Sequence, residues 1–572
     1  MIQRRVDRSK TLFWFVTGAI ACIVPQAVEC MKPFRASEFL EFQKNLQRQD
    51  LPQPKPTSSS SSSLRHPSHH HHDSSQEDVK ELFFTQRLDH FNGRDERTFQ
   101  QRYFYSDRYV SEDNATTSTK PSLAFLCVGG EGPSLDKSVL VDSVHCTGDM
   151  LEFAKTIHEE FNIHLFALEH RYYGKSYPDF GFFGGSPVSN KNLIYLSSRQ
   201  AIADIAKFVT LQNTKKPHDI KWITFGGSYP GVLAAWSRLK LPHLIAAAVS
   251  SAAPLQVVVD FSAYNAHVAK AFADPVIGGS PQCLQIFHDG HEQLARAAQN
   301  RSRHAEIAQK FQLCNAAALQ DHKNIELFVG SGVRDRDLQS NDPACTEPLC
   351  NVQSLCTALI NMTTVNNQNN SSPLSPMDAL AVMVHVDRAT MNKTDCLDID
   401  WQASLNYLSD PILGQPGGMR SWMWQTCTEV GFYQTCERNS TCPYARGWHL
   451  LSQDLDICET AFDVTPQQVA KNVQDTNEYY GGWNFQATRV LSVTGSIDPW
   501  SEMALRKTHS KASLPIYYVP GASHHYWTHP VKETDGKEIQ QAREIIFTTL
   551  RGWIKEMDEE DVILKFLAAT PM

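Results

Sequence analysis

Short apolar runs recur along the chain, each closed by a turn. Ser-Leu-Ala-Phe-Leu-Cys-Val (122–128), Ile-His-Leu-Phe-Ala-Leu (163–168), Trp-Ile-Thr-Phe (222–225) and Leu-Ile-Ala-Ala-Ala-Val (244–249) lack the alternation of a half-exposed strand. Continuous apolar runs of this length predict strands covered on both faces, as in a parallel sheet. Between them, 149–161 and 197–211 carry helical periodicity, so strands and helices alternate and the chain reads as α/β. Two further runs, Arg-Val-Leu-Ser-Val-Thr-Gly-Ser-Ile-Asp-Pro-Trp (489–500) and Pro-Ile-Tyr-Tyr-Val-Pro-Gly-Ala-Ser-His-His-Tyr-Trp (515–527), add strands much later in the chain.

The run at 222–225 leads directly into Gly226-Gly227-Ser228, and Tyr-Pro-Gly-Val-Leu-Ala-Ala-Trp (229–236) reads as a helix. A sharp strand-to-helix turn would push the Ser228 hydroxyl out of the backbone and aim helix amides at a developing oxyanion. Two glycines remove side chains that would clash there, and Pro230 suits a first helical turn. The match to Gly-x-Ser-x-Gly is imperfect, because Pro230 stands in the last glycine's place and Gly231 follows one residue late. A nucleophilic serine needs a base and an acid that orients it, and in α/β-hydrolases both follow the serine on strand-end loops, acid first. Asp498 and the pair His524-His525 satisfy that order. Taken singly, Asp498 reads equally as the start of an Asp-Pro turn and the histidines as loop residues; together they predict a triad. The strand at 122–128 runs into Gly129-Gly130-Glu131-Gly132, where such a fold keeps its second oxyanion amide, here expected at Gly130 beside the N–H of Tyr229.

Ser228 and Asp498 are 270 positions apart, with one evident sheet strand between them. The predicted organisation is therefore an α/β-hydrolase fold whose sheet is split by a large, mostly helical, disulfide-stapled cap. Its segments are a signal or N-terminal anchor over 1–30, low-complexity linker over 31–80, hydrolase domain over 81–257, cap insertion over 258–480 and the second hydrolase part over 481–572. A cap above the catalytic end of the sheet would favour small or terminal substrates.

Several segments match one family in order: Phe-Thr-Gln-Arg-Leu-Asp-His-Phe-Asn (84–92), Gln-Arg-Tyr (101–103), Gly-Gly-Glu-Gly (129–132), Leu-Glu-His-Arg-Tyr-Tyr-Gly-Lys-Ser (168–176), Gly-Gly-Ser-Tyr (226–229), Trp-Gln-Thr-Cys-Thr-Glu-Val-Gly-Phe-Tyr-Gln-Thr (424–435) and Asp-Pro-Trp (498–500). Over about 83–555 the chain resembles the serine carboxypeptidase family of prolyl carboxypeptidase, dipeptidyl peptidase II and thymus-specific serine protease, with 168–176 and 425–429 most similar to the thymus-specific branch. The resemblance implies removal of residues from peptide ends next to proline, with Ser228 as nucleophile, Asp498 as orienting acid and His524, which follows the small Ser523, as base. The family usually carries Leu-Asp two positions after that histidine, where this chain has Tyr526-Trp527, so His525 stays open as the alternative base. Trp422, Trp424, Glu429 and Trp500 are candidates for a proline-sized pocket, and aromatic residues read equally as core. Glu131 or Glu429 would pair with a substrate ammonium if the enzyme were an aminopeptidase, with a structural ion pair or helix cap the preferred alternative. Glu169-His170-Arg171 reads as support for the sheet end or the oxyanion loop. An esterase or lipase of the same fold, dipeptidyl aminopeptidase specificity and a non-catalytic binding protein are the rivals.

Of 572 residues, 41% are hydrophobic and 20% charged, which suits a large globular chain. Fifty-three basic against 62 acidic residues give a net charge of −9, unlike a nucleic-acid-binding surface. Arg4, Arg5, Arg8 and Lys10 precede an apolar stretch over 11–24 and small-residue sites, the pattern of a cleaved secretory signal, with an uncleaved anchor as the alternative. Of 14 cysteines, Cys22 leaves with such a signal and Cys30 lies at its edge, so twelve remain for disulfides, and there is no Cys-x-x-Cys pair for zinc. Sequons at Asn114, Asn300, Asn361, Asn369, Asn370, Asn392 and Asn439 fit a glycosylated protein. Pro52, Pro54 and Pro56, serines 58–63 and His69–His72 mark the linker. The expectation is a secreted or lysosome-like serine exopeptidase acting on peptides. It has no metal or organic cofactor, nucleic-acid partner or membrane contact beyond the possible anchor; a homodimer is left open.

Overall fold

The structure is a computed structural model that describes residues 78–569 apart from 112–119, 216–219, 334–338, 340, 365–371, 392, 394 and 413–417. The signal, most of the linker and the sequons at Asn114, Asn369, Asn370 and Asn392 lie outside the described residues; Asn300, Asn361 and Asn439 are exposed. Among the described residues no helix is long and apolar enough to cross a membrane.

Eight strands form one sheet: β1 (Lys80–Arg87), β2 (Thr98–Tyr109), β3 (Ser122–Val128), β4 (Asn162–Leu168), β5 (Lys221–Gly227), β6 (Ile245–Ser251), β9 (Val490–Gly495) and β10 (Ile516–Val519), in the order β1-β2-β4-β3-β5-β6-β9-β10. From β4 to β10 every pairing is parallel, while β1–β2 and β2–β4 are antiparallel. All seven β4 residues are buried, as are six of seven in β3 and in β5. Burial on both faces accounts for their unbroken apolar runs. The edge strand β1 alternates instead: Phe84 and Gln86 turn inward while their neighbours face outward.

The helix Ser198–Asn213 crosses from β4 to β5 and starts with Ser197 accepting from the N–H of Gln200. The helical pattern at 149–161 resolves into a π-turn, Thr147–Leu151, continued by the helix Glu152–Ile157. The C-terminal helix Lys537–Ala569 lays Ile539, Ala542, Ile546, Leu550 and Trp553 on the core under one sheet face. The helix Tyr229–Lys240 covers the opposite face, where the core runs on into the cap.

Between β6 and β9 the chain leaves the sheet for a run of helices, among them Pro281–Ala298, Val352–Thr363, Pro376–Thr390, Met419–Gln425 and Pro466–Tyr480. This is the helical cap of an α/β-hydrolase. Its first and last parts are joined by a short parallel pair, β7 (Val258–Asp260) with β8 (Gly431–Tyr433), which the sequence pattern did not reveal. Disulfides Cys283–Cys356, Cys314–Cys396, Cys345–Cys350, Cys427–Cys458 and Cys436–Cys442 lie within the cap. The sixth, Cys127–Cys146, fastens the end of β3 to the following loop.

Candidate active site

Ser228 stands at the end of β5 with φ 63° and ψ −133°, a conformation that a non-glycine residue adopts at a cost of order 1–3 kcal/mol. Its N–H donates to the Ser251 carbonyl at 2.8 Å, and its own carbonyl accepts from Val232 at 3.0 Å, the first helical bond. The two glycines before it are required by close approach. A Cβ on Gly226 would lie 2.4 Å from the Pro230 carbonyl carbon, and one on Gly227 would lie 2.9 Å from the His525 ring. Tyr229 is the first helical residue, so its N–H has no intrahelical acceptor. Gly130 packs directly on this turn, since a Cβ there would sit 2.4 Å from Pro230 Cγ.

Asp498 follows β9 and is fully buried; its Oδ1 accepts from the N–H of Trp500 at 3.0 Å. His524 follows β10, and its Nδ1–H donates to Asp498 Oδ2 at 2.9 Å. The other ring nitrogen, Nε2, is shielded and has no hydrogen-bond partner among the described residues. Serine–base hydrogen bonds in unliganded sites are often long and tighten only with substrate. His525 faces elsewhere: its ring lies against Gly227, and Nδ1 pairs with Thr528 Oγ1 at 3.0 Å. The residues in place of Leu-Asp are structural here, with Tyr526 donating to Asp342 Oδ1 at 3.0 Å and the Trp527 indole to Ser251 Oγ at 3.0 Å. Behind His524, buried His525 packs between the half-buried His145 and His529, with ring centroids 5.7 and 5.9 Å away. Burial pushes the His145 imidazole down to about 4 and that of His529 to about 3, and holds His525 well below its usual range.

The other candidates separate. Trp500 lies 6.2 Å from the His524 ring and packs among Phe261, Tyr264 and Phe432. Trp422 lies edge-on to Tyr229 at 5.7 Å. Trp424 instead donates to the Leu196 carbonyl at 3.3 Å and packs on Phe462. Both Glu429 oxygens accept from Ser198, from its N–H and its hydroxyl, so this carboxylate caps the Ser198–Asn213 helix; burial raises it to about 7. Glu131 is half-buried, its Oε2 is shielded without a partner among the described residues, and burial raises the carboxyl to about 7. Glu169 ties Arg102, the N–H groups of Leu135 and Lys175, and Ser176 into the sheet end, while Arg171 grips Asp204 through two contacts of 2.7 and 2.6 Å.

Three residues emerge only from the structure. Gln339 links cap to catalytic loops: its carbonyl accepts from the His524 N–H at 3.2 Å, and its Oε1 accepts from Trp500 Nε1 at 2.9 Å and from the Tyr264 hydroxyl at 3.1 Å. Gln425 donates to the Tyr229 hydroxyl and accepts from Tyr173, both at 2.7 Å. Gln425 and Tyr173 lie inside the family-like segments 424–435 and 168–176, which was the available signal; Gln339 lies in none of them.

The family model described as Serine carboxypeptidase S28 matches residues 86–546. The mouse (Mus musculus) thymus-specific serine protease is 33% identical over 489 residues, 84% of this chain and 88% of that protein. The bovine (Bos taurus) lysosomal Pro-X carboxypeptidase is 26% identical over 490 residues, 83% of this chain and 88% of that protein. Among solved structures, the proline iminopeptidase of Mycobacterium smegmatis aligns over 82% of this chain and 98% of its own at 10% identity, with a TM-score of 0.28.

Proposed function

Because the chain belongs to the Serine carboxypeptidase S28 family and is a serine peptidase, we propose that it is an exopeptidase that cleaves near a peptide end, next to proline, through Ser228, His524 and Asp498. The observation that carries this reading is the 2.9 Å bond from His524 Nδ1 to Asp498 Oδ2 on loops that abut the Ser228 turn. That bond keeps the proton on Nδ1 and presents Nε2 as the base. Ser228 Oγ attacks the scissile carbonyl and gives its proton to Nε2. The oxyanion forms under the N–H groups of Tyr229 and Gly130, and the imidazolium then protonates the leaving amine. Water repeats the sequence on the acyl-enzyme and restores Ser228.

The cap, taken as 258–480, restricts entry to chain ends, and Trp422 and Trp500 supply flat walls suited to a pyrrolidine ring. Proline selectivity is supported further by a relative named for Pro-X cleavage. Six disulfides suit an oxidising compartment, so we assign a signal-bearing, glycosylated protein of the secretory pathway, secreted or lysosomal.

The test is mass spectrometry of proline-containing peptides blocked at either end, incubated with wild-type protein and with Ser228→Ala at acidic and neutral pH. Removal of terminal residues by the wild type alone supports the reading; identical products with Ser228→Ala refute it.

A further inference from the structure

Gln425 sits where the cap meets both loops assigned to the oxyanion. Its Oε1 accepts from the Tyr173 hydroxyl and its Nε2 donates to the Tyr229 hydroxyl, each at 2.7 Å. Tyr173 belongs to the loop after β4, and Tyr229 opens the helix after β5. The loop after β3 leans on the first of these. Gly129 N–H donates to the Leu168 carbonyl at 2.8 Å, and a Cβ on Gly129 would lie 3.1 Å from the His170 backbone nitrogen. One cap amide therefore spans the loops that place the N–H groups of Tyr229 and Gly130. Gln425 is itself held firmly: it closes the helix Met419–Gln425, and the π-turn behind it is tied by Cys427–Cys458 and by Glu429 on Ser198. Such π-turns recur at functional sites.

The direction of these bonds is fixed from the far end. His170 Nδ1 lies 2.7 Å from the Arg171 carbonyl, which can only accept, so the ring proton is on Nδ1. Nε2 is then an acceptor, and the Tyr229 hydroxyl, 3.4 Å away, donates to it. The Tyr229 oxygen receives in turn from the Gln425 NH2, which leaves the Gln425 oxygen facing Tyr173. Tyr173, Gln425, Tyr229 and His170 are all buried, and burial pushes the His170 imidazole down to about 4. The ring stays neutral above that pH, and the order of donors and acceptors persists. A buried chain with every hydrogen assigned holds its members in one arrangement.

We infer that Gln425 is a positioning residue: it fixes the Tyr229 phenol against the loop after β4 and so sets the spacing of the two N–H groups that receive the oxyanion. This rests on the peptidase reading of Ser228. In this role Gln425 touches neither substrate nor reacting atoms, and acts through Tyr229.

The test is steady-state hydrolysis of a proline-containing peptide by the full-length secreted protein, with active sites counted by fluorophosphonate labelling. Gln425→Met keeps the length and removes both bonds. Its kcat should fall roughly 10- to 100-fold, less than the outright loss of an oxyanion donor, with KM little changed. Gln425→Glu is the rescue. As a carboxylic acid it accepts from Tyr173 and donates to Tyr229, as the amide does; as a carboxylate it cannot donate. Burial favours the acid form, so at about pH 5 its kcat should recover most of the way to the wild-type value at the same pH. Burial keeps Tyr229 well above its usual range and His170 at about 4, while Glu131 and Glu429, at about 7, titrate in both proteins and cancel in the comparison. Tyr229→Phe should reproduce the loss, and it carries the test if Gln425→Met does not fold. The double variant should be no slower than the slower single, since one residue acts through the other. Wild-type kcat in either folded single variant, no recovery by Gln425→Glu at about pH 5, or losses that multiply in the double variant overturns the positioning role and leaves the peptidase reading standing. Turnover that survives Ser228→Ala defeats the peptidase reading itself.

Discussion

Replacing Asp498 by Asn changes one atom and should silence the enzyme. In the native site Oδ1 accepts from the Trp500 N–H at 3.0 Å and Oδ2 accepts from His524 Nδ1–H at 2.9 Å. The Asn carbonyl has to stay on the Trp500 side, because an NH2 group there would face another donor. The Asn NH2 then points at His524 Nδ1, which must become an acceptor. The ring proton moves to Nε2, and Nε2 loses the lone pair that takes the Ser228 proton. In Ser-His-Asp enzymes this tautomer reversal costs about 10⁴-fold in kcat, equivalent to ~5.5 kcal/mol of barrier. The fold should survive, since Asn is isosteric and keeps the Trp500 bond, so the melting temperature should move by only a few degrees. The assay is steady-state hydrolysis of a proline-containing peptide, with thermal melting as control. His524→Ala should match the loss, and His525→Ala should cost less than either. Retention of more than about a tenth of wild-type kcat in folded Asp498→Asn would refute the tautomer argument, and silence in His525→Ala alone would transfer the base to that residue.

Other consequences concern the turn, the cap and pH. Gly226→Ala places a methyl 2.4 Å from the Pro230 carbonyl carbon, which is backbone and cannot yield, so soluble folded protein should be lost or turnover abolished; normal kinetics would mean that the turn has another shape. Glu429→Ala strips the N–H of buried Ser198 of its acceptor and leaves its hydroxyl only the Tyr480 hydroxyl at 3.1 Å, and chemical denaturation should register a loss of about 1–3 kcal/mol, while an unchanged midpoint would show that water fills the gap. As pH falls below about 6.5, the unfolded chain takes up protons that folded His145, His170, His525 and His529 refuse, so stability is lost at up to about 1.4 kcal/mol per unit for each. Glu131, Asp149 and Glu429, raised to about 7 in the fold, hold protons that the unfolded chain releases, so they return stability over the same window down to about pH 4.5. Below that point the Glu131 and Glu429 contributions are complete and that of Asp149 runs on to about pH 3.8, whereas the histidines keep losing, and Glu502, held near 2 by His267, begins to lose as well. Four histidines against three carboxyls leave a net loss of about one histidine, so thermal melts should fall gently from pH 6.5 to 4.5 and more steeply below it; a level or rising profile between 6.5 and 5 would contradict the balance.

The central sheet was legible because β3, β4, β5 and β6 are buried on both faces and show it as unbroken apolar runs. The antiparallel edge was not, because β1 alternates buried Phe84 and Gln86 with exposed Phe83 and Thr85, and β2 buries polar Gln101, Arg102 and Ser106 among its aromatic residues. The three-residue strands β7 and β8 are too short for any period to register. Candidate Ser228, Asp498 and His524 could be placed because each directly follows a sheet strand, a local property. What surrounds them comes from the cap: Gln339 reaches Trp500 across 161 positions and Gln425 reaches Tyr229 across 196. Contacts of that span leave no periodic or spacing trace in one chain. Disulfide partners were equally hidden, since Cys283 passes Cys314, Cys345 and Cys350 to reach Cys356.

The most direct measurement is covalent labelling with a fluorophosphonate, followed by peptide mapping of the adduct. A single adduct on Ser228, formed by wild type and strongly slowed in folded His524→Ala, is the predicted result. An adduct on a different residue, or none on folded protein, would contradict the assignment of Ser228 as the nucleophile.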